Sequence, residues 1–204
     1  MHVNNRDMKR DWPKIIVIFL LLFLIALPAT AGAERDSGTG IIFPDVLAGA
    51  KLVKVMDYEK DNPGLGVGYH YGVNNFKVSV FIYNVGRPQI PSNTTSPIII
   101  KMFDQARDDV YVLEKKGNYK DVALLIPQET VKIGKFPFLH AKMTYSEHNI
   151  KRTSQLYLTG FKNYFVKLRI TYFTDDAING EKSLDKFLSA LGGLMIRAGA
   201  PEGH

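Results

Sequence analysis

Tyr164-Phe165-Val166-Lys167-Leu168-Arg169-Ile170-Thr171-Tyr172 decides the fold of this 204-residue chain. Tyr164, Val166, Leu168, Ile170 and Tyr172 alternate with Phe165, Lys167, Arg169 and Thr171. A period of two held over the whole stretch marks a β-strand with one face toward a core. The parity predicts Val166, Leu168 and Ile170 buried and Lys167 and Arg169 in solvent.

Similar strands lie on either side of it in sequence. The turn Gly160–Asn163 joins it to a segment in which Leu156 and Leu158 alternate with Gln155, Tyr157 and Thr159. Leu139, Ala141, Met143 and Tyr145 alternate with His140, Lys142 and Thr144. Phe76–Tyr83 sets Phe76, Val78, Val80 and Ile82 against Lys77 and Ser79, which Phe81 and Tyr83 join. Gly72–Asn75 links that strand to Val67–Tyr71 as a hairpin, and Leu52–Tyr58 precedes a turn at Asp61–Gly64. Pro127 divides Asp121–Ile126 from Glu129–Ile133, two short strands.

Two helices complete the pattern. Ser96 is a good N-cap residue, Pro97 suits the first helical position, and Lys115-Lys116-Gly117 suits the end. Ile99, Met102, Phe103, Ala106, Val110 and Leu113 form one stripe between them. Leu184, Phe187, Leu188, Leu191 and Leu194 or Met195 stripe a second helix. The order β-β-β-α-β-β-β-α predicts an α+β domain, a single antiparallel sheet of about six strands packed by two helices.

Upstream the chain changes character. Met1–Lys14 is polar, with Arg6, Lys9, Arg10 and Lys14 against Asp7 and Asp11, and Ile15–Leu27 is wholly apolar. Pro28 and the small residues Ala29-Thr30-Ala31-Gly32-Ala33 follow. This is the form of a secretory signal peptide over residues 1–33, cut after Ala31 or Ala33. The apolar run is shorter than the roughly 20 residues a bilayer-spanning helix needs. An uncleaved leader would be an anchor, and contact with a membrane is expected only through it. Residues 34–42 read as a polar spacer, 43–197 as the single α+β domain and 198–204 as a tail.

Of 26 Lys+Arg and 20 Asp+Glu, four and two lie in the leader, leaving a mildly basic domain. The chain has no cysteine, which excludes disulfides, thiolate metal sites, a cysteine nucleophile and a lipid-modified cysteine. Export without disulfides points to a bacterial envelope, with the protein periplasmic or secreted. Asn93-Thr94-Thr95 matches a glycosylation acceptor, a common tripeptide without meaning in a bacterial host.

Catalytic signatures are missing from the sequence. Pro63-Gly64-Leu65-Gly66-Val67-Gly68 runs into a strand, whereas a phosphate-binding glycine loop opens a helix. His70, His140, His148 and His204 show no metal-ligand spacing, and no G-x-S-x-G or S-x-x-K occurs. Ser146-Glu147-His148 is a loop triplet, and neighbours in sequence rarely make a triad. Asp104, Asp108 and Asp109 read as the wet face of a helix. No catalytic, cofactor-binding or metal residues and no cofactor are expected. One constellation stands out: Lys77, His140, Lys142, Lys167 and Arg169 occupy the polar parity of three strands. Sharing one sheet face, they would form an anion-binding ribbon; the bland alternative is a solvated or helix-covered face.

This strand–helix–strand–helix order resembles the Mog1/PsbP-like α+β fold, which includes small exported bacterial proteins of the DcrB type. The matching stretches are Phe43-Pro44, Phe76–Tyr83 feeding the helix Pro97–Lys116, and Gln155–Tyr172 before the closing helix. The chain is also similar to an uncharacterised family of exported bacterial proteins. That second likeness rests on Asp57-Tyr58-Glu59, Pro63-Gly64-Leu65-Gly66, Val80-Phe81-Ile82-Tyr83 and Tyr157-Leu158-Thr159-Gly160. It implies the fold and carries no residue's role with it.

The expected function is therefore a non-enzymatic binding or accessory domain of the bacterial envelope. Its partner would be an envelope protein or an anionic envelope component, and nucleic acid is not expected. The alternative is a cell-envelope hydrolase or transferase with dispersed site residues.

Overall fold

The computed structural model describes residues 32–200. Among them eight strands form one antiparallel sheet in the order β3-β4-β5-β6-β10-β9-β8-β7, and β1 and β2 form a small sheet of their own. In sequence these are β1 (Glu34–Arg35), β2 (Ile42–Phe43), β3 (Val46–Leu47), β4 (Ala50–Asp57), β5 (Val67–Val73) and β6 (Phe76–Tyr83), then β7 (Lys120–Ile133), β8 (Phe136–Glu147), β9 (Ile150–Phe161) and β10 (Tyr164–Phe173). Helix α1 (Pro97–Lys115) carries the chain from β6 to β7, and α2 (Ala177–Ala198) follows β10 through a short 3-10 turn. Two hairpin meanders thus meet at the β6–β10 pair in the centre of the sheet.

The α+β class stands, but the sheet is larger than the six strands expected. Pro127 does not split its segment. Residues 120–133 form one strand at the sheet's edge, with three register irregularities against β8. An edge strand tolerates proline because one row of its amides has no neighbour to bond. Residues 34–42 are not a spacer either. They fold into the β1–β2 hairpin, where Asp36 Oδ1 accepts from the amide and hydroxyl of Thr39. Ile41 and Thr39 are fully buried, and Phe43 stacks on Tyr69 at 4.0 Å. Of the leader expected over residues 1–33, residues 1–31 lie outside the described chain, as do 201–204 of the tail.

Both faces of the sheet are covered. Val78, Val80, Ile82, Val166, Leu168, Ile170 and Tyr172 pack with Leu184, Phe187, Leu191 and Met195 of α2. Phe81, Tyr83, Phe165, Leu156, Leu158, Leu139, Ala141 and Met143 pack with Ile99, Met102, Phe103, Ala106 and Val110 of α1. The stripes read from both helices are the ones buried, apart from Leu188, which is half-buried. At the start of α1, however, Ser96 makes no side-chain capping bond. Asn93 Oδ1 instead shapes the turn leading into the helix, accepting from the amides of Thr95 and Ser96 at 3.0 and 2.7 Å.

The long hairpins are tight. His148 and Asn149, and again Lys162 and Asn163, all have positive φ, the two-residue turn whose twist matches that of paired strands. Gly66 is required at its place: its φ is +66° and a Cβ there would lie 1.8 Å from the Ile82 carbonyl oxygen.

Candidate functional site

Cross-strand register separates the five residues of the expected ribbon. Lys77 pairs with Thr171, and Lys167 with Phe81 and Leu158, placing Lys77, Lys167 and Arg169 on the α1 face. His140 pairs with Tyr157 and Lys142 with Gln155, whose partners are Leu168 and Ile170 on the α2 face. The five therefore do not share a face. The inference fails because Leu139, Ala141 and Met143 belong to a different core from Val166, Leu168 and Ile170. Alternation fixes which residues go together on a strand, but it does not say which face is which when both are buried.

Lys167 and Arg169 are not in solvent. Lys167 is 8% exposed under α1, its Nζ 4.6 Å from the Phe81 ring centre and 5.6 Å from that of Tyr83. Burial lowers the ammonium to about 8 although the Asp109 carboxylate opposes this. Burial raises Asp109 to about 6 against the pull of Lys167 and Arg169. Arg169 Nη2 donates to the Ala106 carbonyl in the middle of α1 at 2.7 Å. These charges fasten the helix to the sheet.

On the opposite face His140 and Lys142 enter a connected polar network. His140 Nδ1 lies 2.8 Å from Glu129 Oε1 and Nε2 lies 2.9 Å from Gln155 Oε1. The ring stacks on Tyr157 at 4.4 Å, and the Tyr157 hydroxyl donates to Gln155 Oε1 at 2.7 Å. Gln155 Nε2 donates to the Tyr172 hydroxyl at 3.0 Å and to Glu181 Oε2 at 3.1 Å. Tyr172 and Lys142 also donate to Glu181, the latter at 2.6 Å. Glu181 fixes the direction of the Gln155 amide, because only its nitrogen can face the carboxylate; Oε1 must then turn to His140 and Tyr157. His140 Nε2 faces that oxygen as a donor in consequence.

His140, Gln155, Tyr157 and Tyr172 are buried, while the Glu129, Lys142 and Glu181 side chains are 46%, 28% and 38% exposed. The network thus has a dry centre and charged outlets between α2 and the β7–β8 hairpin. Burial would raise the Glu181 carboxyl, but the bonds from Lys142, Tyr172 and Gln155 outweigh it and hold the group below its ordinary value. Sequence reasoning found His140 and Lys142 but not Glu129, Gln155 or Glu181. The signal available was the polar row of Gln155, Tyr157 and Thr159 on a strand whose other face carries Leu156 and Leu158.

The remaining candidates resolve into structure. Glu59 fills the glycine turn: Oε1 and Oε2 accept from the Gly64 amide at 2.9 Å each, and Oε2 from the Gly66 amide at 2.8 Å. His70 is buried beside Phe81, with Nδ1 2.9 Å from Ser79 Oγ, and burial lowers it to about 4 with help from Lys54. Ser146 Oγ donates to Asp121, Glu147 pairs with Arg152, and His148 lies in the turn, so that triplet assembles nothing. No cluster of three or more His, Cys, Asp or Glu placed to hold a metal occurs among the described residues.

No protein-family model matches the chain, and no curated protein matches it in sequence. Solved structures do. Cyanobacterial PsbP (CyanoP) from Synechocystis sp. PCC 6803 is similar at a TM-score of 0.50 and 14% identity, over 83% of this chain and 96% of that one. LpqN of Mycobacterium tuberculosis, involved in cell envelope biogenesis, matches at 0.39 and 11% identity over 66% of this chain and 73% of its own. A protein of Bacteroides thetaiotaomicron VPI-5482 matches at 0.41 and 13% identity, over 79% and 48%. The likeness to CyanoP defines the class: a PsbP-like α+β fold. It is a likeness of fold alone.

Proposed function

We propose that the protein is an exported accessory domain of the bacterial envelope that acts by binding rather than by catalysis. The observation that carries this reading is how its polar interior is connected. Glu129, His140, Gln155, Tyr157, Tyr172, Glu181 and Lys142 bond to one another and tie α2 to the sheet. A satisfied network of this kind holds an element in place. The leader sequence supports export, and the PsbP-like fold is compatible with an accessory role.

Export is tested by fusing the full chain to a reporter enzyme that folds only in an oxidising compartment. The fusion is expected to be active, and one lacking residues 1–33 inactive; an inactive full-length fusion overturns export. Intact-mass measurement on the envelope fraction is expected to find a chain beginning at Gly32 or Glu34, and a mass that includes the leader would show an anchor.

The hydrolase or transferase reading keeps one observation in its favour, the carboxylate–imidazole contact of Glu129 with His140 at 2.8 Å. Purified protein incubated with isolated envelopes is expected to leave their peptidoglycan and lipid mass spectra unchanged. A product that vanishes with His140→Asn would establish the enzyme instead.

A further inference from the structure

We propose that the β3–β4 corner of the sheet is a docking surface for an anionic lipid bilayer. The proposal rests on the reading of residues 1–33 as an export leader and adds to it where the folded domain meets the membrane.

The corner is built by register. Val46 lies across from Lys51, Lys51 from Gly72 and Gly72 from Lys77, so one row of the sheet reads valine, lysine, glycine, lysine. Lys77 continues to Thr171 on the α1 face, but α1 lies against β7, β8 and β9, away from this end. Lys51 and Lys77 are exposed. Val46 is 52% exposed, and Val53, at the register shift between Leu52 and Lys54, is 50% exposed. Beyond Lys51 the outer side of β4 has no strand paired to it among the described residues. Half-exposed aliphatic side chains among lysines suit the boundary of a bilayer, where methyl groups enter the headgroup layer and ammonium groups meet phosphate.

The path of the chain selects lipid over other anions. The Gly32 amide donates to Asp45 Oδ1 at 2.8 Å, and Asp45 precedes Val46. Upstream of Gly32, Pro28–Ala31 separate it from the apolar run Ile15–Leu27. Five Cα steps from Leu27 to Gly32 span at most about 18 Å. Until it is cut after Ala31 or Ala33, a leader seated in the bilayer therefore holds this corner at the surface, and the released domain starts with the corner already there. The β7 edge, seven strand spacings away, lies about 34 Å further across the sheet.

The chain has no cysteine, so a single introduced one reports its own surroundings. The exported chain starting at Gly32, carrying Val53→Cys, or Leu125→Cys on β7, is labelled with an environment-sensitive fluorophore and mixed with phosphatidylglycerol-containing or pure phosphatidylcholine vesicles. The Val53 label is expected to shift to the blue and be quenched by brominated lipid in the anionic vesicles, and the Leu125 label is not. Lys51→Glu with Lys77→Glu, or Val46→Asp if that pair disturbs the fold, is expected to remove most of the quenching, as is high salt. Equal quenching of both labels, no quenching of either, or indifference to the charge reversal overturns the proposal. So does a disulfide-linked dimer through unlabelled Val53→Cys, which would make the occupant a second copy of the chain. An unquenched Val53 label beside an active export fusion sinks docking alone; a quenched label beside an inactive fusion sinks export alone.

Discussion

Lys167 lies directly across the β6–β10 pair from Phe81, with its ammonium 4.6 Å from the ring. Asp109 of α1 is buried with it and pulls the ammonium toward its charged form, against the effect of burial. α1 therefore meets the sheet through charged groups set among its apolar contacts.

Burial outweighs the mutual attraction at both groups. Replacing two such charges together by apolar residues of similar volume is neutral to stabilising, by up to about 4 kcal/mol. Lys167→Met with Asp109→Leu is expected to unfold at no lower urea than the parent, and each single variant at lower urea than the double. Single effects that add up to that of the double variant would show that the two groups do not act as a pair.

The lowered Lys167 also predicts a basic limb. Its folded value near 8 lies below the ordinary 10.5, so the folded state releases the proton first and stability rises as pH climbs above about 8. The parent is expected to gain stability from there until tyrosines ionise near their ordinary 10.0, and Lys167→Met is expected to lose that gain. Urea midpoints measured across this range for both proteins decide it.

His70 predicts an acid limb of the usual kind. Its folded value near 4 lies below 6.5, so protonation favours unfolding and stability is lost as pH falls from about 6.5 toward 4. Asp109, raised to about 6 from 3.8, acts in the opposite sense, adding stability as pH falls through about 6. His70→Leu is expected to remove the loss and expose the Asp109 gain, so its urea midpoint at pH 5 relative to pH 7 exceeds the parent's. A more acid-sensitive variant would refute this.

Gln155→Leu strips an acceptor from His140 and Tyr157 and a donor from Glu181. Leaving the buried His140 and Tyr157 without that acceptor costs about 1–3 kcal/mol each, so a loss of at least about 2 kcal/mol is expected. Thr159→Val, on the same strand face but outside the network, is expected to change little. Comparable losses would show that burial, and not connectivity, sets the cost.

Leu168 has no exposed surface, and Leu168→Ala is expected to cost about 2–5 kcal/mol. Leu125, 54% exposed on the edge strand, is expected to tolerate alanine within about 0.5 kcal/mol. Chemical denaturation of the two variants separates them.

These particular residues show what the sequence could reveal. Both helix stripes and the facing of Val166, Leu168 and Ile170 were legible because each element has one periodic set of large apolar residues. Lys167 was misplaced because an opposite face that mixes Phe165 with lysine and arginine reads as solvent-facing until α1 is known to cover it. The Glu129–Gln155–Glu181 network was invisible because its members are far apart in sequence and meet only through strand register and the docking of α2. Residues 34–42 misled for a local reason: Asp36 and Thr39 satisfy each other inside a turn, and composition cannot distinguish that from hydration.

The Glu59 carboxylate seated on the Gly64 and Gly66 amides gives the glycine turn a ligand that never leaves. A tethered group of this kind competes at an effective concentration of order millimolar, and a free phosphate would have to displace it while the chain held it in place. The turn works as a receptor permanently occupied by its own anion, a latch closing the β4–β5 connection against the strand end at Ile82.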